Sequence, residues 1–316
     1  MKKTLFTVLA AAALVACAKE EVVTVNQEAI AFDNAFVDNA TKTTDNSFSA
    51  TNLPETFYVY GTTKHEDQDA VSIFNGVGVT KNGTKYTYDS KYTQYWIEGN
   101  VYKFAALVNA DVNKVTCVDL LPSTVDYTAA YATNGSVEDT PDLMYATYQT
   151  TGQISGNSAV AFTFDHLLAN VKFTLENTMA ENPADNLYEY ALTNIQINNA
   201  YTSGKCTLAT KEWTAQADAD KIVKLGNVAY VGTAGSKEAA SDYARLLIPA
   251  DYAALNITFT LTTTLNNKVV NVEDITLTPA VKLEAGKSYN FIVEKGNPGQ
   301  QIEFSVNTVN EWVSAF

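Results

Sequence analysis

Apolar residues recur at every second position through much of the chain. Val160-Ala161-Phe162-Thr163-Phe164 alternates cleanly, and Val171-Lys172-Phe173-Thr174-Leu175 alternates in the opposite phase. Side chains of one parity on a strand share one face of a sheet. Leu168 and Val171 stand an odd distance apart, so the apolar face flips between them, as at a bend or a crossing between sheets. We place a domain boundary just before this break, near residue 158. Upstream, Ala29-Ile30-Ala31-Phe32, continued in phase by Phe36, reads as one short strand, and Phe57-Tyr58-Val59-Tyr60-Gly61 reads as a second. The polar, turn-rich stretch at residues 39–46 between them predicts an exposed loop.

Tyr86 and Tyr88 alternate, followed by Tyr95-Trp96, Tyr102 and Phe104, with Asn82-Gly83 and Glu98-Gly99-Asn100 as turns. Residues 109–158 read as loop-rich. Later strands are expected over Leu192 to Ile197, Lys221 to Val231 and Arg245 to Ile248, the last stopped by Pro249. Asn256 to Leu265 and Lys268 to Val272 flank Asn266-Asn267 and predict a hairpin. Tyr289, Phe291 and Val293 form another alternating strand, and the tail sets Ile302, Phe304 and Val306 in one phase before Val309 and Trp312. No long amphipathic helix is visible. Strands with turn signals at short spacing indicate an all-β sandwich or barrel.

Composition agrees with that reading. The 316 residues include 18 Tyr and 14 Phe, and charged residues make up 18%, below the usual share of about one-quarter. Aromatic and β-branched residues suit pleated, half-buried surfaces. The formal net charge is −14. Such a chain repels phosphate backbones, which argues against nucleic acid as a partner. It is not drawn electrostatically to anionic lipid either.

The first residues offer another route to a membrane. MKK is followed by the uncharged, mostly apolar TLFTVLAAAALVA, too short for a spanning helix of about 20 residues. A basic start, a short apolar run and a small-residue exit describe a secretory signal peptide over residues 1–16. Leu14-Val15-Ala16-Cys17 resembles the bacterial lipobox. That resemblance implies a diacylglyceryl group on the Cys17 sulfur, cleavage before Cys17 and acylation of its amine, palmitate being the usual kind of chain. Each buried CH₂ contributes roughly 0.8 kcal/mol, so several chains anchor far better than one. Ala18-Lys19-Glu20-Glu21 opens a polar tether over residues 17–28. It resembles the surface-export signal of Bacteroidetes lipoproteins and points to the outer face of the outer membrane.

Candidate chemistry is sparse. Beyond Cys17 there are Cys117 and Cys206, which could pair outside the cell, although two buried free thiols are the simpler expectation. Of the two histidines, His166 sits at the phase break and reads as a structural residue. His65-Glu66-Asp67-Gln68-Asp69 is acidic but lacks the ordered ligand spacing of calcium loops. No HExxH or CxxC appears, so no metal or cofactor is expected. Gly286-Lys287-Ser288 mimics the end of a phosphate loop, but Val281 stands where the first glycine belongs. No catalytic constellation is visible, and an enzyme is not expected.

Several phrases, in order, resemble one family. They are the lipobox, Phe57 to Gly61, Phe74-Asn75-Gly76, Tyr95-Trp96, Asp142-Leu143-Met144-Tyr145-Ala146, FTFDHLLANVKF from Phe162 to Phe173, RLLIP from Arg245 to Pro249, Gly286 to Phe291, and Val309-Asn310-Glu311-Trp312. In this order they resemble the fimbrillin-like lipoproteins of Bacteroidales, subunits of type V pili. The resemblance implies two transthyretin-like β-sandwich domains in tandem, over residues 29–157 and 158–316. It also implies an assembly route. A trypsin-like protease cuts in the loop behind the first strand, that strand leaves, and the C-terminal strand of another subunit fills the groove. On this chain the departing plug is Ala29 to Val37, the cleavage residue is Lys42, and the donor anchors are Ile302, Phe304, Val306, Val309 and Trp312. The partners implied are other pilus subunits, the processing protease and the outer membrane. One departure stands out: the family pattern has arginine at the cut, and the single arginine here is Arg245, far from that loop.

Two other readings stay open. An uncut subunit would keep its lipid as a pilus anchor or serve as a surface glycan-binding module, with Trp96, Trp213 and Trp312 as sugar-stacking candidates. A secreted hydrolase would need a carboxylate pair that the sequence does not single out.

Overall fold

The computed structural model describes residues 28–37, 54–83, 85–131, 140–150, 159–179, 188–216, 221–232, 237–296 and 298–309. The strands in its first half are β1 (Phe32–Val37), β2 (Thr56–His65), β3 (Val71–Asn82), β4 (Lys85–Thr87), β5 (Asn100–Val108), β6 (Val115–Val118), β7 (Leu121–Thr128), β8 (Met144–Gln149) and β9 (Val160–His166). Next come β10 (Ala169–Asn177), β11 (Tyr188–Ala200), β12 (Ser203–Thr207), β13 (Glu212–Gln216), β14 (Lys221–Val231), β15 (Glu238–Ala240) and β16 (Arg245–Leu247). The last are β17 (Asp251–Tyr252), β18 (Ile257–Leu265), β19 (Lys268–Leu277), β20 (Val281–Lys282), β21 (Ser288–Lys295) and β22 (Glu303–Val309). Among the described residues only two 3-10 turns, Ser90–Tyr92 and Val112–Lys114, interrupt the β structure. The fold is all-β.

The first sheet runs β1-β4-β3-β2-β5-β8-β9 and closes on itself, because β1 pairs antiparallel with β4 and parallel with β9. The inward parity fills it with aromatic rings: Phe32, Phe57, Phe74, Phe104, Phe162 and Phe164 are all buried there. A second core lies between the sheets β15-β10-β21-β22 and β14-β11-β18-β19. Phe173 on β10 meets Phe259 on β18 at 6.5 Å and Phe291 on β21 at 5.3 Å. Facing sheets with interdigitating inner residues make a sandwich. The smaller sheet β13-β12-β7-β6 joins strands from the two halves of the chain and adds Val125, Tyr127, Cys206 and Leu208 to this second core.

The phase flip read from the sequence is a change of sheet. β9 stays in the first sheet with β1 and β8, and β10 opens the next beside β21, so the crossing falls at Leu167-Leu168. Three strands, β6, β7 and β8, lie in the region expected to be loop-rich. The β6–β7 turn was invisible because it is made by Asp119 and Leu120, with φ of 50° and 68°. A leucine in the left-handed region carries none of the usual hairpin signature. By contrast, Asn266 and Asn267, at φ 50° and 60°, make the tight turn that their sequence predicts.

Candidate assembly interface

The first strand is built into the closed sheet from both sides. Its register with β9 runs from Phe32 opposite Val160 to Val37 opposite Phe164, and Phe32 also faces Tyr86 of β4. Backbone bonds tie down the residues before it. Ile30 N donates to Gln94 O (2.8 Å), Trp96 N donates to Glu28 O (3.0 Å), and Val160 N donates to Ala31 O (2.8 Å). The Tyr88 hydroxyl donates to Ile30 O at 2.6 Å. Ile30 and Phe32 are buried, and Phe32 stacks on Phe162 at 5.9 Å. Burying a side chain of this kind contributes roughly 1.5–3 kcal/mol. Removing the segment would uncover Phe57, Phe74, Phe104 and Phe162 and leave the ladder edges of β4 and β9 unpaired, the kind of surface that captures another strand.

Neighbouring hydroxyls reflect the dryness of the place. The Tyr86 hydroxyl donates to Pro54 O at 2.7 Å. Burial, with a smaller contribution from Glu55, pushes its pKa up to about 12. Burial also raises Tyr88. Neither titrates near neutral pH, so the contacts around β1 are neutral ones.

At the other end of the chain, β22 is an edge strand. It pairs antiparallel with β21 from Glu303 opposite Glu294 to Val309 opposite Ser288, and no described strand lies on its far side. Ile302, Phe304 and Val306 are half-buried against the second core, and Phe304 meets Phe291 at 5.8 Å. Glu303, Ser305 and Asn307 face outward. Alternate apolar anchors on a strand held along one edge can be presented to another sheet without breaking a sheet interior. The structure thus sets Phe304 and Val306 on one face of β22, with Ile302 just before the strand in the same phase. Cys17, Lys42 and Trp312 lie outside the described residues, and Val309 is placed by its backbone register alone.

The remaining sequence candidates resolve into structure. His166 Nδ1 is 2.8 Å from Asp142 Oδ2 in a buried pair. Leu167 N donates to Leu143 O at 2.9 Å, so the pair fastens the chain where it crosses between sheets. Asp142 was part of a recognised phrase, but nothing in the sequence joins it to a histidine 24 residues away. Trp96 is buried beside Tyr102 at 4.7 Å. Trp213 donates its indole N–H to Leu167 O at 2.7 Å. Arg245 is buried, with its Nε donating to Lys224 O at 2.9 Å, and lies over the Tyr243 ring.

Cys206 is buried but Cys117 is exposed, which corrects the expectation of two buried thiols. They lie on β12 and β6, which flank β7 on opposite sides. Two strand spacings amount to about 9.5 Å, beyond the roughly 7 Å reach of a disulfide. Among the described residues no group of three metal-ligating side chains occurs, and no helix is long and apolar enough to cross a membrane.

A family model described as fimbrillin-like matches residues 41–312. The chain belongs to the fimbrillin-like family. This fimbrillin-like protein is accordingly a structural protein of the cell surface that associates with other fimbrial subunits, and not an enzyme. No curated protein sequence matches it. Among solved structures it is similar to a fimbrial protein from Bacteroides vulgatus, at 14% identity and a TM-score of 0.62 over 90% of this chain and 99% of that one. It is also similar to a candidate cell adhesion protein from Bacteroides ovatus, at 14% identity and a TM-score of 0.54 over 91% and 98% of the chains. A third likeness is to a candidate cell adhesion protein from Bacteroides uniformis, at 16% identity and a TM-score of 0.51 over 90% and 98%. At these identities the likeness is one of fold. The family match begins past β1, so that strand lies outside it.

Proposed function

We propose that this fimbrillin-like protein is a pilus subunit exported as a lipoprotein on Cys17 and polymerised by strand exchange, in support of adhesion. In this reading a trypsin-like protease cuts after Lys42, β1 leaves the closed sheet, and β22 of another subunit takes its place. The observation that carries the proposal is the setting of β1. Phe32 and, just before the strand, Ile30 sit inside the aromatic core, and Val37 is followed in the sequence by residues 38–53, the stretch that holds Lys42. One cut there would free a strand whose departure opens two ladder edges and an apolar groove. The alternation of Ile302, Phe304 and Val306, at the start of β22 and along it, has the period such a groove accepts. The names of the similar fimbrial and candidate adhesion proteins support a role in adhesion.

Arg245 favours a second reading. The chain's one arginine is buried in β16, so an arginine-specific protease has no accessible target. The subunit would then remain uncut on its lipid as an anchor. The mature N-terminus, read by mass spectrometry of native outer membrane and sheared filaments, separates the two. Filament chains beginning at Thr43 are expected. Chains beginning only at acylated Cys17 would overturn cleavage and leave the anchor. Deleting residues 300–316 should abolish polymers, and normal polymers after that deletion would remove β22 from the donor role.

A further inference from the structure

The outer strand of the other large sheet has no partner on its far side among the described residues. β19 ends the order β14-β11-β18-β19 and pairs only with β18. Most of its side chains are exposed, including Val269 (58%), Val270 (53%) and Val272 (58%). Long edge strands with exposed apolar residues are templates for another strand. Proteins usually blunt them with charge or a bulge, and β19 has both. Val270 is the extra residue of a bulge between Val269 and Asn271, which pair with Thr264 and Thr263. Lys268 stands at one end of the valines, and Glu273-Asp274 stand at the other.

That charge order is what selects a partner. A two-fold axis near Asn271 would lay two β19 strands antiparallel. It would bring Lys268 of each copy beside Glu273-Asp274 of the other, and valines against valines. A parallel copy would instead set like charge against like. Opposite charges across a strand pair stabilise it and like charges destabilise it. One copy of the strand is thus complementary to itself in one orientation.

We infer that β19 is a self-association edge, on which a second copy of this chain docks antiparallel through its own β19. The contact is a single strand pair, smaller than the interfaces of stable dimers, so isolated subunits associate weakly. Where many copies are displayed together, the same contact is multiplied by avidity. It is independent of strand exchange, since β22 lies in a different sheet.

Sedimentation equilibrium of the full chain at physiological ionic strength, with two charge variants, tests it. Lys268→Glu places acid opposite acid, and the pair Glu273→Lys with Asp274→Lys places base opposite base. Each should weaken self-association about tenfold or more, since two symmetric contacts turn from attraction to repulsion. An equimolar mixture of the two variants should recover it, because each then meets its complement at both ends. All these side chains are exposed, so the denaturation midpoint of Lys268→Glu should stay at the wild-type value, and that of the double variant should fall only by the loss of the Thr260 hydroxyl bond to Asp274. A wild-type chain that remains monomeric at every attainable concentration would overturn the inference. So would variants that associate like wild type, or a mixture that fails to recover association.

Discussion

Phe32→Ala tests the seat of β1 most directly. Phe32 is 2% exposed, and its ring lies 5.5–6.4 Å from five others, Phe57, Phe74, Tyr88, Phe104 and Phe162. Four of those rings sit on β2, β3, β5 and β9, strands of the closed sheet, which cannot collapse into the space left behind. A truncation of this kind costs about 3–5 kcal/mol, and a cavity that fails to relax puts it in the upper half of that range. At a typical slope of about 2 kcal/mol per molar urea, the unfolding midpoint should fall by about 2 M. Under the strand-exchange proposal the loss would appear locally instead, with β1 detaching while the rest of the sheet stands. In that case the midpoint moves less, and the amides of Ile30, Trp96 and Val160 lose protection from hydrogen exchange. These amides bond to Gln94, Glu28 and Ala31 across the β1 segment. Paired urea denaturation and native-state exchange capture both routes. An unfolding free energy within about 0.5 kcal/mol of wild type, together with unchanged protection at those three amides, would refute the view that Phe32 pins the first strand.

Gly232 has φ 130°, and a Cβ there would lie 2.4 Å from Tyr188 O and 2.5 Å from Asn177 Nδ2. Gly232→Ala should therefore lower stability by about 2–4 kcal/mol in urea denaturation, and a near-neutral result would contradict that packing. A thiol reagent should label Cys117 in the native protein and reach Cys206 only on unfolding, because burial keeps the latter out of reach and pushes its thiol up to about 12. Equal rates at both would show the second core to be open. Burial first raises Tyr60, Tyr86, Tyr190 and Tyr252 from 10.0 to about 12. Between those values the unfolded chain releases protons that the folded chain keeps, so stability is full below pH 10 and falls as pH rises toward 12. Urea midpoints that stay flat across that window would argue against these buried phenols.

Much of the fold is legible in the chain because strands leave a local mark. The parity of Val160, Phe162 and Phe164 against that of Val171, Phe173 and Leu175 announces two faces and a crossing. Asn266-Asn267 announces its own hairpin, since asparagine tolerates the left-handed region. The β6–β7 and β12–β13 hairpins escaped because their turns put Leu120 and Lys211 in that region, with φ of 68° and 57°. Their places were decided by pairing between β7 and β12, which are far apart in sequence. Of the interface, the alternation of Ile302, Phe304 and Val306 was visible, as was the polar stretch of sequence that holds Lys42.

Side-chain period 2, turn chemistry and the basic-apolar-cysteine start are properties of neighbours along the chain, so the sequence alone determined an all-β fold, its strong strands and the candidate anchor at Cys17. Which strands share a sheet depends on long-range ladders and on how rings pack across a core. Only the tertiary structure could decide that β1 closes a sheet between β4 and β9. The same holds for β22 and β19 as edges, for Asp142 meeting His166, and for β7 separating the two thiols.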